Sequence, residues 1–414
     1  MTPDNVNPGG HAEHLPADGR TIAGVPTAVT ALIGVARRGP VNQPEPVGGF
    51  AAFERTFGGL AADGELGYAV RQFFLNGGTS AWVVRVPRGA DTRQWLQGLN
   101  ALAAVDRFNL LVLPGLADPE VLAAAADTCR QRLAFLIAEA PPDARVPELM
   151  MQRMQNGALP RSSFGAVYFP WLRIADPLNP AAPRAAPPGG TIAGLYARTD
   201  TLRGVWQAPA GTDAIVHGVH GLDCALSDAQ IGALTSLGVD CLRTFPDQVV
   251  AWGARTLDGA DSSNSDWKFV PVRRMALYLE ESVLQGTRWA VSEPNGPTLW
   301  AQLQSSIAGF LQSRFLQGAF AGGSPATSYY VRCDATTTTA ADLAAGEVNI
   351  EIGFAPFRAA EFVVITVRQM TAPPAGAGAA AGEAPAAGGA TGDGGVARAV
   401  HRSRGLRLGR PVSR

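Results

Sequence analysis

Lysine is all but missing from this 414-residue chain, with Lys268 standing alone among 34 Lys+Arg residues. The basic side is therefore arginine, and 35 Asp+Glu residues leave a formal net charge of −1. That balance excludes a globally basic nucleic-acid binder. Cysteine is scarce: Cys129, Cys224, Cys241 and Cys333 lie far apart, with no C-x-x-C pair. In a chain this large, buried reduced thiols in a product made in the cytoplasm are expected rather than a disulfide framework. Long apolar runs are missing too. The best, Ala28–Ala36 and Leu110–Leu116, are strand-length, well short of the roughly 18 to 20 residues that cross a bilayer. The start, Met1-Thr2-Pro3-Asp4-Asn5, has neither a basic segment nor an apolar one, so no secretory signal and no membrane insertion are expected.

The motifs of common chemistries are also missing. There is no G-x-x-x-x-G-K-[ST], and Lys268 sits in Asp266-Trp267-Lys268-Phe269 rather than in a phosphate loop. Neither G-x-S-x-G nor H-E-x-x-H occurs. Gly376-Ala377-Gly378 lies in a low-complexity stretch and follows no βα unit. No cofactor is expected. Histidine is limited to His11, His14, His217, His220 and His401. His217 and His220, followed by Asp223 and Cys224, have ligand types suited to zinc and support one alternative, a metal-dependent α/β hydrolase. Ordinary loop histidines are the stronger reading, because the segment is glycine-rich and lacks an identifiable fourth partner. Glu280-Glu281 reads as a solvated helix face, and Asp258, Asp261 and Asp266 as a Ser-rich surface turn. Arg273-Arg274 fits either an acidic partner surface or a helix start paired to Asp266.

What is present is apolar: hydrophobic residues make up 46% and charged residues 17%, enough for a large core and roughly two or three domains. Residues 1–20 are polar and rich in Pro and Gly, and read as an arm. From Val25 to Val35 the pattern is a strand. Phe50, Phe53 and Phe57 mark a short amphipathic helix. Leu66–Leu75 is a second helix, stopped by Asn76-Gly77-Gly78. Residues 91–260 alternate strand and helix: strands at Phe108–Leu113, Leu133–Ala138 and Phe164–Trp171, helices at Pro119–Arg132, Pro147–Gln155 and Asp228–Leu237. A short helix begins at Thr191 after a Pro-rich loop over Asp176–Gly190. This order implies an α/β layer with a partly parallel mixed sheet.

Residues 266–370 follow an α+β order, two helices and then three strands. Met275, Leu279 and Val283 line the first helix; Leu299, Leu303, Ile307, Phe310, Leu311 and Phe315 line the second. Strands are expected at Ser328–Cys333, Glu347–Phe354 and Glu361–Met370. Val348, Ile350, Ile352 and Phe354 share one face, while Phe362-Val363-Val364-Ile365 is apolar on both faces and predicts cover on both sides. Beyond Ala372 the composition collapses to Ala, Gly and Pro and ends in Arg398, Arg402, Arg404, Arg407, Arg410 and Arg414, the pattern of a disordered tail.

Several stretches in collinear order, from about residue 20 to 370, resemble one family. They include Arg20-Thr21-Ile22-Ala23-Gly24-Val25-Pro26-Thr27, Arg37-Arg38-Gly39-Pro40-Val41-Asn42 and Tyr68-Ala69-Val70-Arg71-Gln72-Phe73-Phe74-Leu75-Asn76-Gly77-Gly78. Tyr168-Phe169-Pro170-Trp171, Tyr196-Ala197-Arg198-Thr199-Asp200 and Gly204-Val205-Trp206-Gln207-Ala208-Pro209 follow. Trp252-Gly253-Ala254-Arg255-Thr256-Leu257, Trp267-Lys268-Phe269-Val270-Pro271-Val272-Arg273-Arg274 and Phe354-Ala355-Pro356 complete the set. Together they resemble the contractile tail sheath proteins of myophages and of phage-tail-like extracellular injection systems.

The resemblance implies a structural, non-enzymatic role in a phage tail or tail-like particle. Copies would stack as rings in a helical sleeve around an inner tube protein, with baseplate, terminal cap and paralogous sheath subunits as further partners, and no nucleic acid. It divides the chain into an arm (1–20), an outer α/β domain (21–265), a C-terminal domain (266–370) and a tail (371–414). The C-terminal sheet would be completed by strands from neighbouring subunits. Phe362, Val363, Val364, Ile365, Thr366, Val367, Val348, Ile350 and Ile352 are the expected pairing residues, and Lys268, Arg273 and Arg274 the expected inner-tube contact. Pro8-Gly9-Gly10-His11-Ala12-Glu13-His14 departs from the family's arm in being poor in β-formers. A further reading is another tail or baseplate component.

Overall fold

A computed structural model describes residues 20–357 and 362–372. Of the expected arm only Arg20 is described, and of the expected tail only Thr371 and Ala372; His11, His14 and His401 fall outside the described residues. The first half reads β1 (Thr30–Val35), β2 (Pro44–Val47), α1 (Phe50–Phe57), α2 (Leu66–Leu75), β3 (Ala81–Val86), α3 (Thr92–Asn100), β4 (Leu110–Val112), α4 (Pro119–Gln131), β5 (Phe135–Glu139) and α5 (Pro147–Gln155). It continues through β6 (Gly165–Phe169), β7 (Leu172–Ile174), β8 (Arg184–Ala186), α6 (Gly189–Arg203), β9 (Val219–Leu222), α7 (Asp228–Ser236), β10 (Val239–Phe245) and β11 (Gln248–Ala251). The remainder is α8 (Val270–Gly286), α9 (Pro297–Leu316), α10 (Pro325–Ser328), β12 (Tyr329–Arg332), α11 (Ala340–Ala344), β13 (Glu347–Phe354) and β14 (Val363–Met370).

The large sheet has the order β11-β10-β6-β5-β4-β1-β3-β2. Its inner pairs, from β10–β6 to β1–β3, are parallel, and β2 and β11 close it antiparallel. Parallel strands covered on both faces need continuous apolar runs; Ala31, Leu32 and Ile33 of β1 and Leu136 of β5 are fully buried accordingly. Chain direction across the sheet reverses at β1, since β3 lies on one side and β4 on the other. Both edges are closed. Pro44 and Pro46 occupy alternate positions of β2, so one side of that strand has no N–H to offer. Along β11, residues 211–216 hydrogen-bond to Val249 and Ala251.

Local chemistry starts the helices. Asp91 and Gln94 form a capping box on α3, and the Asp118 side chain accepts from Glu120 and Val121 N–H groups, with Pro119 opening α4. The helix expected from Thr191 begins at Gly189 and runs 15 residues. It lies against α2 with almost no gap. A Cβ on Gly190 would meet the Ala69 carbonyl oxygen at 2.3 Å, and one on Gly194 the Phe73 oxygen at 2.4 Å. The two helices therefore pack backbone to backbone, which only glycine permits at these positions.

A second core gathers Ile22, Val205, Val272, Met275, Leu279, Val283, Leu299, Leu303, Ile307, Phe310, Val348, Ile350, Ile352, Val363, Ile365 and Val367. It is a two-helix layer, α8 and α9, under the antiparallel sheet β12-β13-β14. One expectation about this layer fails. Residues of β14 alternate buried and exposed, with Val364 45% and Met370 48% exposed. One face of β14 is therefore covered, not both. Glu280-Glu281 is not a solvated face either: both acids are partly buried, and Glu281 pairs with Arg107 at 3.2 Å.

Candidate assembly surface of the C-terminal sheet

β13 sits in the middle of its sheet, paired over Tyr329–Arg332 on one side and Val363–Met370 on the other. Val348, Ile350 and Ile352 are fully buried toward the helices. They stand opposite Gln369, Val367 and Ile365 and spend their main-chain groups on β14, so none is left for another strand. The expectation that they pair with a neighbour is corrected on that ground. Phe362 stands just before β14 and is 40% exposed, its ring 5.7 Å from that of Tyr330.

β14 is different. Among the described residues no strand pairs with its outer side. The phase of its ladder follows from Thr371, whose N–H donates to the Gly346 oxygen at 2.8 Å. Direction alternates along an antiparallel strand, so Val363, Ile365, Val367 and Gln369 turn their amides toward β13. Val364, Thr366, Arg368 and Met370 turn theirs outward. The open edge ends at Ala372, whose outward N–H meets the Glu293 oxygen at 3.3 Å. Arg20 anchors the same corner, stacked 3.9 Å over Trp289 and paired with Glu293 at 3.0 Å. The chain thus enters its described part and leaves it beside one end of the open edge. This corner has no sequence signature beyond the arginine itself.

The exposed side of this sheet is polar in the middle and apolar at its ends. Arg368 pairs with Glu347 at 3.1 Å and Arg332 with Glu351 at 3.3 Å. Tyr330 donates to Glu351 at 3.0 Å, and burial together with that carboxylate raises its hydroxyl pKa. Asn349, buried in mid-strand, exchanges hydrogen bonds with Thr338. Asp342 is held below the usual carboxylate range by the Thr339 hydroxyl and amide it caps.

The expected inner-tube cations separate. Lys268 is partly exposed and reaches the Asp261 oxygen at 3.4 Å. Arg273 is enclosed, its guanidinium 3.6 Å from the Trp267 ring and 4.3 Å from Phe164, donating to Ser163 at 2.7 Å. Burial pulls its pKa down to about 9. Arg274 is buried against Asp200 at 2.6 Å, with side chains 3% and 5% exposed. It also donates to the Thr27 oxygen at 3.0 Å, while Thr27 donates to Asp200 at 2.6 Å. Neither arginine reaches the surface, which corrects their assignment as contact residues: both fasten α8 to the α/β layer.

The hydrolase constellation does not form. Asp223 is taken by Arg145 at 2.6 Å and Arg173 at 3.4 Å. His217 is lowered in pKa by burial and by the Arg198 charge. Among the described residues no three His, Cys, Asp or Glu side chains converge as metal ligands. At the carboxyl ends of the parallel strands, where doubly wound sheets take ligands, the buried Glu139 accepts from Gly115 and Gly189 N–H groups at 2.7 Å each.

The family model for the phage tail sheath C-terminal domain matches residues 262–370. A prophage major tail sheath protein of Pseudomonas aeruginosa (strain UCBPP-PA14) is 29% identical over 290 residues, which is 66% of this chain and 68% of that protein. The C-terminal domain is that of phage tail sheath proteins, and the match to a tail sheath relative extends over about two thirds of the chain. Solved sheaths share its fold. The sheath of the PVC extracellular contractile injection system, contracted, superposes with a TM-score of 0.68 at 24% identity, over 90% of this chain and 99% of that one. The contracted helical sheath of the anti-feeding prophage gives 0.68 at 25% identity, over 87% and 99%. The chain is a sheath component of a phage tail or tail-like particle.

Proposed function

We propose that this chain is the repeating subunit of a sleeve whose copies are joined by strand addition at the outer edge of β14, and that the sleeve contracts to drive an inner tube through a target envelope. The open row of main-chain groups at Val364, Thr366, Arg368 and Met370 carries this reading. Such an edge is a hazard in a monomer and a binding site in an array. Donor and acceptor on every copy make a head-to-tail contact, which generates rings or helices. The arm over 1–20 is the proposed donor, since Arg20 is anchored next to that edge. The domains over 21–265 and 266–370 then serve as outer layer and linking layer, with the tube protein, baseplate and cap as partners. Contraction draws on interfaces already built; standard interfaces bury about 1,600 Å², enough for repacking to release energy without a nucleotide.

Negative-stain microscopy of the expressed chain tests this. Striated cylinders are expected from residues 1–414, and folded monomers from a chain lacking residues 1–19. Normal cylinders from the shortened chain would remove the arm from the mechanism, and a full chain that stays monomeric with its tube protein present would end the sleeve reading.

A further inference from the structure

Asparagine followed by glycine is open to attack by its own backbone. The glycine nitrogen, with no side chain beside it, can close on the asparagine amide carbon. Three such pairs occur, Asn76-Gly77, Asn156-Gly157 and Asn295-Gly296, and the sequence does not tell them apart. Closing the five-membered ring needs two freedoms. The side-chain amide must leave its hydrogen bonds, and the asparagine carbonyl must swing so that the next nitrogen faces the side chain. Asn76 has neither. It is fully buried, its Nδ2 donates to the Gln72 and His217 oxygens at 3.0 and 3.1 Å, and its Oδ1 accepts from His217 N–H at 2.7 Å. Arg198 holds its carbonyl at 3.2 Å. Asn295 has both ends of its amide engaged, Nδ2 to the Glu347 oxygen at 2.9 Å and Oδ1 to the Trp300 indole at 2.8 Å. Turning either amide strips polar groups of their partners.

Asn156 stands differently. It is exposed at the C-terminal end of α5, and among the described residues its side-chain amide has no hydrogen-bond partner. Gly157 is exposed as well, at φ +71°, and a Cβ there would meet nothing within 4 Å. The Asn156 carbonyl is set only by the turn that ends the helix. Ala158 N–H donates to the Arg153 oxygen at 3.0 Å and Gly157 N–H to the Met154 oxygen at 3.3 Å, the paired bonds of a helix that stops in a left-handed glycine. Bonds of a last turn open at little cost, and the longer of the two belongs to the nitrogen that would attack.

We propose that Asn156 is a site of spontaneous modification, deamidating through a ring closed by Gly157. Solvent base takes the Gly157 amide proton, the nitrogen bonds to Asn156 Cγ, and the Cγ–Nδ2 bond breaks, with ammonia leaving on a proton from water. Water then adds to one ring carbonyl and cuts its bond to the nitrogen. Cutting at Cγ gives aspartate; cutting at the main-chain carbon gives isoaspartate. The sum is asparagine and water to acid and ammonia, with nothing oxidised or reduced. Either product sets a negative charge at the C-terminal end of α5, where the helix dipole disfavours it. Isoaspartate also adds a backbone carbon, which moves the Gly157 and Ala158 amides away from the carbonyls they close on. Met150, Met151 and Met154 pack α5 on the large core, so the change loosens one end of a core helix. The inference stands apart from the sleeve reading, because it concerns one copy.

Peptide mapping by mass spectrometry tests it, on the full chain aged in mildly alkaline buffer with and without denaturant. In denaturant all three pairs should convert at comparable rates. In the folded chain Asn156 should stay within about fivefold of its unfolded rate, while Asn76 slows by at least about a hundredfold and Asn295 by at least about tenfold, since these react only from opened states. Isoaspartate should accompany aspartate at Asn156. Gly157→Ala puts a methyl group beside the attacking nitrogen, and in denaturant, where turn strain is absent, it should slow conversion at Asn156 alone. A folded Asn156 as protected as Asn76, aspartate formed with no isoaspartate, or an undiminished rate in Gly157→Ala would each overturn the proposal.

Discussion

Arg274 shows how far a residue's role can lie from its appearance in sequence. Two adjacent arginines at a helix start read as a surface for an acidic partner, yet both are inside. Asp200, the partner of Arg274, lies 74 positions earlier, and no spacing rule connects them. Burial works against the charge on Arg274, but the Asp200 carboxylate outweighs it and raises the pKa. Removing one member leaves the other buried and uncompensated. Arg274→Met should therefore cost about 3–5 kcal/mol in urea unfolding, and a second change, Asp200→Leu, should recover part of that loss. Lys268 offers a different test. Lone among the lysines and partly exposed, it should be the one internal amine to react with an acylating reagent in the free chain. If it faces the tube, mass spectrometry should find it protected in assembled sleeves.

At the scale of elements, strands of the large sheet were legible because burial on both faces demands unbroken apolar runs. The helix that opens at Pro119 was legible from that proline, and the one before Asn76 from its stop. What escaped was short or tertiary in origin. β7, β8 and β9 hold three or four residues each, too few for a period. β2 carries two prolines, which argue against a strand unless it lies at an edge. The expectation for β14 failed because four adjacent apolar residues hide an alternation that only the partner strand fixes. Two predictions follow from packing at this scale. Gly194→Leu would force α6 off the Phe73 carbonyl and should destabilise the chain by about 1–3 kcal/mol or more, visible as a lower unfolding midpoint. Thr366→Pro removes an outward N–H while leaving the bonds to β13 intact. It should yield a soluble subunit of near wild-type stability that no longer forms cylinders under the microscope; unaltered cylinders would place the seam elsewhere.

For the whole molecule, the buried acids set the pH response. Burial raises Glu139 to about 8 and Glu280 to about 7, and raises Asp240 well above its ordinary value. Such groups hold protons in the folded state that the unfolded chain has released. Their contribution is present below the unfolded pKa and lost as pH climbs through the folded one. Asp118, Asp176 and Asp342 are shifted the other way, chiefly by hydrogen bonds that outweigh burial, and their contribution fades as pH falls below the ordinary carboxylate range. Stability should therefore peak on the acidic side, near about pH 5, and decline toward pH 8; calorimetry across that range checks the shape. A plateau from pH 5 to 8 would mean that the buried carboxyls are not protonated in the fold. The prolines of β2 and the 211–216 segment along β11 carry a last implication. With the margins of the broad sheet sealed, the proposed stitching of copies would fall to the C-terminal sheet, and if β14 is the acceptor every stitch would face the same way. A fabric made like that would have a grain, its two ends different.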